Sequence, residues 1–380
     1  MPWSVHSVIE QRRELVELAG KGGVPFRALC RRFGISPRVG YKWLGRFRRE
    51  GPSGLGDRSR RPHRTRAQVP AAQQQAIVAL RRSDPAWGAR KIRRRLQEGG
   101  WPQLAAASSI TAVLHRHGLI GPEAPPGQRA WQRFEHAVPN ALWQMDFKAP
   151  VKTLQGPAHP LTVLDDHSRF CVCLRALPNQ QTASVKQALV DTLRCYGLPD
   201  ALLVDNGGPW GDDAEHRHTA LTVWLMHLGV AVSHSRPYHP QTLGKDERFH
   251  GTLQRELLAR CQWCGLVHLQ GACDPWRHRY NFERPHEALG LAVPASRYQP
   301  SLRPFPETLP PIEYPTGVAV RRVQPTGECS FQGRPLRVSK AFAGYRIGLR
   351  PTATDGVFEM LFRHHLIAQF DLRKGRQAAP

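Results

Sequence analysis

No apolar run in this 380-residue sequence approaches the roughly 20 residues that span a bilayer, and its N-terminus, MPWSVHSVIEQRREL, lacks the apolar stretch of a secretory signal. Basic amphipathic helices and lipidation motifs are missing as well, which argues against a membrane-surface role and places the expected location in the cytosol. The eight cysteines (30, 171, 173, 195, 261, 264, 273 and 329) are too few and too irregularly spaced for a disulfide framework in a chain of this length. Acids are scarce: 30 Asp and Glu face 54 Lys and Arg, a net charge of +24. An excess of this sign, spread along much of the chain, favours a polyanionic partner, nucleic acid first. The length exceeds what one core organises, so two to four domains are expected.

The segment VPFRALCRRFGISPRVGYKWLGRFRRE, residues 24–50, has the grammar of a helix-turn-helix. A helix ends at a turn at Gly34-Ile35, and Ser36 and Pro37 stand at the N-cap and first position of the next. That second helix would present Arg38, Tyr41, Lys42 and Arg46 to phosphates and base edges. A generic basic helical hairpin is the alternative. Cys30 reads as a small buried residue of the first helix. Residues 51–70, GPSGLGDRSRRPHRTRAQVP, lack apolar periodicity and read as a basic linker whose Arg58, Arg60, Arg61 and Arg64 would follow a phosphate backbone or remain solvated. Helical spacing returns over residues 71–125, with Ile77, Leu80, Ile92, Leu96, Val113 and Leu114 among basic residues, as in a second DNA-binding helical domain.

After Pro139 the pattern becomes α/β. NALWQMDFKAP and HPLTVLDDHSRFCVCLRAL alternate like strands; Val185, Ala188, Leu189, Thr192, Leu193 and Tyr196 space like an amphipathic helix ended by Gly197. The strand ALLVDN, a helix over roughly 214–228, the strand VAVSHSR and a helix after Pro240 come next. Three strands, helix, strand, helix, strand, helix make an α/β domain over 139–295. Short strands with intervening glycines over 313–375 predict a small β-barrel.

Three acids stand out by position. Asp146 sits on the first strand among apolar neighbours, where an unpaired carboxylate is costly and calls for a cation. Asp205 ends the strand ALLVDN, at the sheet edge where α/β proteins bind ligands, before Asn206 and two glycines that allow a sharp turn. A turn or capping role is the bland reading of either. In GKDERFHGTLQRE, helical stepping places Asp246 on the core stripe with Phe249, Leu253 and Leu257, and Glu247 on a face with Gly244, Gly251 and Gln254. Asp246 then reads as a first-turn or capping residue and Glu247 as the third ligand. Three oxygen donors in a cationic protein suit Mg²⁺, with Mn²⁺ as a substitute, and two such ions would serve phosphoryl transfer on DNA. Asp165 and Asp166 read as hairpin-turn residues, and Asp212, Asp213 and Glu215 as solvated loop acids. Cys261, Cys264, His268 and Cys273 fall one residue short of a zinc-knuckle spacing, which makes zinc the less favoured metal.

Taken together and in order, LWQMDFK, VLDDHSRF, LVDNGGPW, SRPYHPQTLGKDERFHGTLQRE and YNFERPHEALG resemble the retroviral-integrase-like transposases of bacterial insertion sequences. The resemblance reaches the helix-turn-helix region and, more loosely, the C-terminal barrel. It implies a multidomain chain with an RNase H-like core and its acidic triad on Asp146, Asp205 and Glu247. It also implies Mg²⁺-dependent cleavage at transposon ends, then attack of the freed 3′-hydroxyl on target DNA. The implied partners are double-stranded DNA, as terminal inverted repeats and target, and further copies of the chain assembled on it in the bacterial nucleoid. Lys148 and Lys245 are then expected on DNA phosphates, or as solvated charges. A catalytically silent or domesticated regulator and a nuclease without strand transfer are the other function classes to weigh. The family has a plain helix-loop-helix where this chain has its Cys/His cluster.

Overall fold

The computed structural model describes residues 7–59, 69–120, 135–211, 218–235, 244–373 and 376–378, with side chains described as far as 373. It divides into two compact units, Met1–Gln68 and Val69–Pro380.

The first unit has three helices, α1 (Val8–Lys21), α2 (Phe26–Arg32) and α3 (Pro37–Glu50). The sequence pattern finds the second and third: Ser36 caps α3 by accepting from the Val39 amide, with Pro37 at the first helical position. Cys30 is fully buried, and a methyl group on Gly40 would stand 2.4 Å from its sulfur, so α2 and α3 meet where the chain is smallest. The first helix, α1, is additional to that pattern; Ser7 and Glu10 form a reciprocal capping box at its start. Residues 51–55, expected in the linker, instead form a 3₁₀ turn that puts Leu55 into a core with Val16 and Trp43. A single anchoring leucine leaves no periodicity to read.

The second unit opens with α4 (Ala71–Ser83), α5 (Ala89–Glu98) and α6 (Ala107–Arg116), packed around Ile77, Ile92, Leu96, Val113 and Leu114. Arg279 meets Asp84 at 3.2 Å and Arg95 meets Glu283 at 3.3 Å, fastening these helices to the α/β domain.

The α/β domain contains β1 (Trp143–Phe147), β2 (Val151–Thr153), β3 (Gly156–Asp165), β4 (Cys171–Leu177), α7 (Thr182–Tyr196), β5 (Ala201–Val204), α8 (Ala220–His227), β6 (Ala231–His234), α9 (Gly244–Leu253) and α10 (Leu266–Phe282). In the sheet β3 lies between β4 and β1, and β1 continues to β5 and β6; β1, β3 and β4 pair antiparallel, while β1, β5 and β6 run parallel. The short β2, a hairpin partner of the start of β3, is an addition to the expected order. Gly197 ends α7 with φ 78°, and a Cβ there would come within 2.8 Å of the Arg303 and Ser301 carbonyl oxygens, so only glycine fits.

A π-helical turn over 254–258 extends α9 and buries Glu256, which takes both nitrogen-to-oxygen contacts of Arg284 Nε at 3.0 and 3.2 Å. Both side chains are almost fully enclosed, 10% and 6% exposed. Removing one charge would strand the other in the interior, so Arg284→Ala should lower stability by about 3–5 kcal/mol in urea unfolding. A loss below about 1 kcal/mol would show that water reaches Glu256.

The C-terminal part is all β: β7 (Ala319–Arg322), β8 (Glu328–Phe331), β9 (Arg334–Arg337), β10 (Arg346–Pro351), β11 (Val357–Phe362), β12 (His365–Asp371) and β13 (Arg376–Ala378). Its five-stranded sheet runs β13-β12-β11-β10-β7, beside a separate β8-β9 hairpin. A closed barrel was the expectation; among the described residues no pairing joins β13 to β7, so the sheet is open. Val223 and Met226 of α8 complete its core, which explains how an open sheet stays covered. No helix among the described residues is long and apolar enough to cross a membrane.

Candidate active site

The parallel pairing of β1 with β5 sets the geometry. Trp143 stands opposite Leu202 and Gln144 opposite Leu203, and continuing that register two residues brings Asp205 level with Asp146. Both carboxylates therefore emerge at the same end of adjacent strands. The third acid comes from the first turn of α9, where Glu247 is exposed while Asp246, Phe249 and Leu253 are buried. That alternation is the helical-face division read from the sequence.

Asp146 is half-buried and its carboxyl is pushed up to about 6, by desolvation first and by the charge of Asp205 next. Glu247 adds to the upward push, and the Phe147 amide and Lys148 oppose it. Three carboxylates thus share one electrostatic neighbourhood with one lysine against them. Thr162, paired with Asp146 across β1 and β3, donates its hydroxyl to the Asp146 carbonyl at 3.0 Å. His250 Nε2 lies 2.8 Å from the same hydroxyl oxygen. With the Thr162 hydrogen already committed, Nε2 is the donor and the unprotonated Nδ1 faces Asp146 Oδ2 at 3.8 Å. Burial, then the charge of Lys148, holds His250 down at about 4, so it is neutral at pH 7.

Asp205 is held by its own loop. Its Oδ1 accepts from the Gly207 amide at 3.1 Å and, in a shorter contact, from the indole of buried Trp210, which stacks on Phe147 at 5.5 Å. Its Oδ2 takes no hydrogen bond among the described residues, and a Cβ on Gly207 would press within 3.2 Å of it. The protein thus orients one oxygen through Gly207 and Trp210. Asn206 donates to the Ser235 carbonyl at 3.0 Å, and His234 Nδ1 lies 3.0 Å from the Asp205 carbonyl, tying the turn to β6.

Asp246 stands in the first turn of α9, as one of its two expected readings had it, but does not cap the helix. It is fully buried, neither oxygen has a hydrogen-bond partner among the described residues, and burial followed by the charge of Asp146 raises its carboxyl well above the usual range. Lys245, expected at a phosphate, instead donates to the Asp166 carboxylate and, at 3.2 Å, to its carbonyl. Lys148 is half-buried beside Asp146. Asp165 serves the turn as expected, accepting from the Asn140 and Ser168 amides and the Ser168 hydroxyl. The Asp166 carboxylate departs from a turn role and takes its partners from outside the hairpin, the His136 amide, Gln144 and Lys245. The acids at 212, 213 and 215 lie outside the described residues.

In the first unit Arg38, Tyr41 and Lys42 are exposed on α3, and Arg46 and Lys42 stand 5.0 and 4.6 Å over the Trp43 ring. Arg58 pairs with Glu50, and Arg60, Arg61 and Arg64 fall outside the described residues. The Cys/His cluster does not assemble: Cys261 and Cys264 are exposed, Cys273 is buried in the core, and the Cys264 amide donates to His268 Nδ1 at 3.2 Å. Among the described residues no three His, Cys, Asp or Glu side chains gather closely enough to hold one metal ion.

Comparison with known proteins adds the family. Integrase core domains match residues 136–240 and 228–294, and the C-terminal domain of IS481 family transposases matches 318–378. These matches support an insertion-sequence transposase with an integrase-like core. A helix-turn-helix domain matches residues 11–63 and a homeodomain-like domain 39–114. An uncharacterized 31.7 kDa protein of insertion element IS407 from Burkholderia multivorans is 28% identical over 158 residues, 42% of this chain and 55% of its own. A 39.2 kDa protein of IS476 from Xanthomonas euvesicatoria is 28% identical over 172 residues, 45% of this chain and 47% of its own. The chain thus spans about half the length of these curated relatives. A simian T-cell lymphotropic virus intasome, solved with PP2A regulatory subunit B56 gamma, covers 76% of this chain and 97% of its own at 17% identity, with a TM-score of 0.37, too low to carry weight.

Trp210, Thr162, His250 and the partner of Lys245 are the site residues that sequence reasoning missed. LVDNGGPW contains Trp210 five residues after Asp205, so the two partners of this contact at least stand within one motif. The other contacts join residues 16 to 88 positions apart and leave no local pattern.

Proposed function

We infer that this chain binds the ends of its element as double-stranded DNA, cuts a phosphodiester there and joins the freed 3′-hydroxyl to target DNA. The observation that carries the reading is the parallel register that brings Asp146 and Asp205 level at the ends of β1 and β5, with Glu247 on the exposed face of α9. Burial and this neighbouring charge push the Asp146 carboxyl up. Such a cluster is unfavourable alone and suits a hard divalent cation with oxygen ligands. Mg²⁺, or Mn²⁺ in its place, would be held by Asp146, Asp205 and Glu247. Because no three donors gather on one point, water and DNA oxygens would complete its shell, as Mg²⁺ prefers. The bound ion would supply charge neutralisation at the phosphate and activation of the attacking oxygen.

The chain's own residues divide the remaining work. Trp210 and Gly207 orient Asp205; Thr162 and neutral His250 brace Asp146; Lys148 is placed to hold a phosphate beside it. In the first step water displaces the 3′-oxygen from phosphorus, and in the second that oxygen displaces another 3′-oxygen in target DNA, one phosphodiester forming as one breaks. The first unit, with its core extended to Leu55, and the helical domain at 71–125 would find the ends; 139–295 would react; 313–375 would assist, in an assembly of several copies.

Incubating the full chain with Mg²⁺ and DNA carrying the inverted repeats that flank its gene should give nicks at the repeat termini. Tight binding without nicking would return the silent-regulator reading. Binding should weaken steeply with salt, because each phosphate contact releases counterions. Replacing Arg38 and Lys42 by alanine should flatten the slope of log K against log salt by about two, roughly one per phosphate contact. An unchanged slope would remove α3 from the interface.

A further inference from the structure

Two of the three candidate ligands depend on where α9 sits against β1, and a single buried carboxylate links the two elements. Asp166, 1% exposed, accepts at Oδ1 from Gln144 Nε2 at 2.7 Å and from Lys245 Nζ in a shorter contact. Its Oδ2 accepts from the His136 amide at 2.8 Å. Gln144 precedes Asp146 by two residues on β1 and so shares its face of the strand. Lys245 precedes Glu247 by two residues in the first turn of α9.

We propose that Asp166 is a positioning residue: through Gln144 and Lys245 its carboxylate fixes the distance between Asp146 and Glu247, and with it the spacing of the metal ligands. The proposal rests on the function inferred above. Lys245 is 18% exposed in its side chain and spends two donors on Asp166, its carboxylate and its carbonyl, so it is built as a tether rather than as a free phosphate contact. The adjacent Asp246 is fully buried but has no hydrogen-bond partner among the described residues, so in that turn it is the partly buried Lys245 that is anchored by polar contacts. Nothing in the sequence suggests this function for VLDDHSRF, since the two ends of the link lie 22 and 79 residues from Asp166.

The test compares the full-length wild type with Lys245→Met and Asp166→Asn, two variants so that one failing to fold leaves the other. Hydrogen–deuterium exchange is followed in metal-free protein, and Mg²⁺ binding is measured by calorimetry. Amides 246–250 should exchange at least roughly tenfold faster in Lys245→Met while those of α10 keep their rates. The Mg²⁺ dissociation constant should rise roughly ten- to hundredfold, the range seen when outer-shell partners of metal ligands are lost. Wild-type Mg²⁺ affinity in both variants overturns the proposal, even with faster exchange, because the pair would then only stabilise the fold. Absence of Mg²⁺ binding in the wild type is a different failure: it removes the metal reading itself, and the proposal with it.

Discussion

Glu247→Gln should lose end cleavage and strand joining by at least roughly a hundredfold, the upper end of what losing a mere supporting residue costs a metal site. DNA binding should be nearly unchanged, because the substitution keeps the side-chain volume at an exposed position and touches none of the α3 residues. The amide can offer one neutral oxygen where the carboxylate offered two charged ones, so the loss falls on the metal and the reaction. Asp246→Asn is the control that gives this result meaning. Asp246 is one residue away but fully buried, so an asparagine there keeps its shape and alters a group that does not face the solvent. Activity should remain within a few-fold of wild type. An active Glu247→Gln enzyme paired with a dead Asp246→Asn enzyme would mean that the helix presents its other acid to DNA, and the site would have to be rebuilt around Asp246.

The division between these neighbours was readable because a helix turns by a fixed angle per residue and Phe249 and Leu253 mark the buried side. The same kind of local rule located Ser36 and Pro37 at the head of α3 and Gly197 at the end of α7. What the sequence did not disclose lies in contacts between distant segments. Asp246 looked like a cap because acids favour first turns, yet its oxygens find no donor among the described residues, and tertiary packing overrode the local preference. Lys245 looked like a phosphate ligand because it is basic and near the acids, and only the fold shows that Asp166 engages it. Leu55 looked like linker because one buried residue carries no period. A barrel was expected from short strands, whereas α8 lends the C-terminal sheet the cover that closure would have provided.

Asp146→Asn should make the metal-free protein more stable at pH 8 while abolishing its catalysis. The wild-type carboxyl titrates near 6 in the folded chain against an ordinary 3.8. Between those values the folded state holds a proton that the unfolded state has released, so stability falls as pH rises through that window. The favourable contribution is complete below about pH 4 and gone above about pH 6. At pH 8 the charged form is therefore a liability on the order of 3 kcal/mol before screening, since each tenfold change in proton affinity is worth about 1.36 kcal/mol. Solvent screening reduces it somewhat, because the side chain is 25% exposed. Asparagine removes the charge without enlarging the side chain and should recover about 1–2 kcal/mol, a few degrees in the thermal midpoint. Mg²⁺ should stabilise the wild type at pH 8 by binding the native state alone, and this gain should fade below pH 6 as protons compete for Asp146. In Asp146→Asn the Mg²⁺ gain should be small at every pH. Thermal melts of both proteins with and without Mg²⁺ across pH 5 to 8 check the whole set. Equal metal-free stabilities at pH 8 would mean that water already relieves the charge on Asp146. An equal Mg²⁺ gain in both proteins would place the bound ion somewhere other than between β1, β5 and α9.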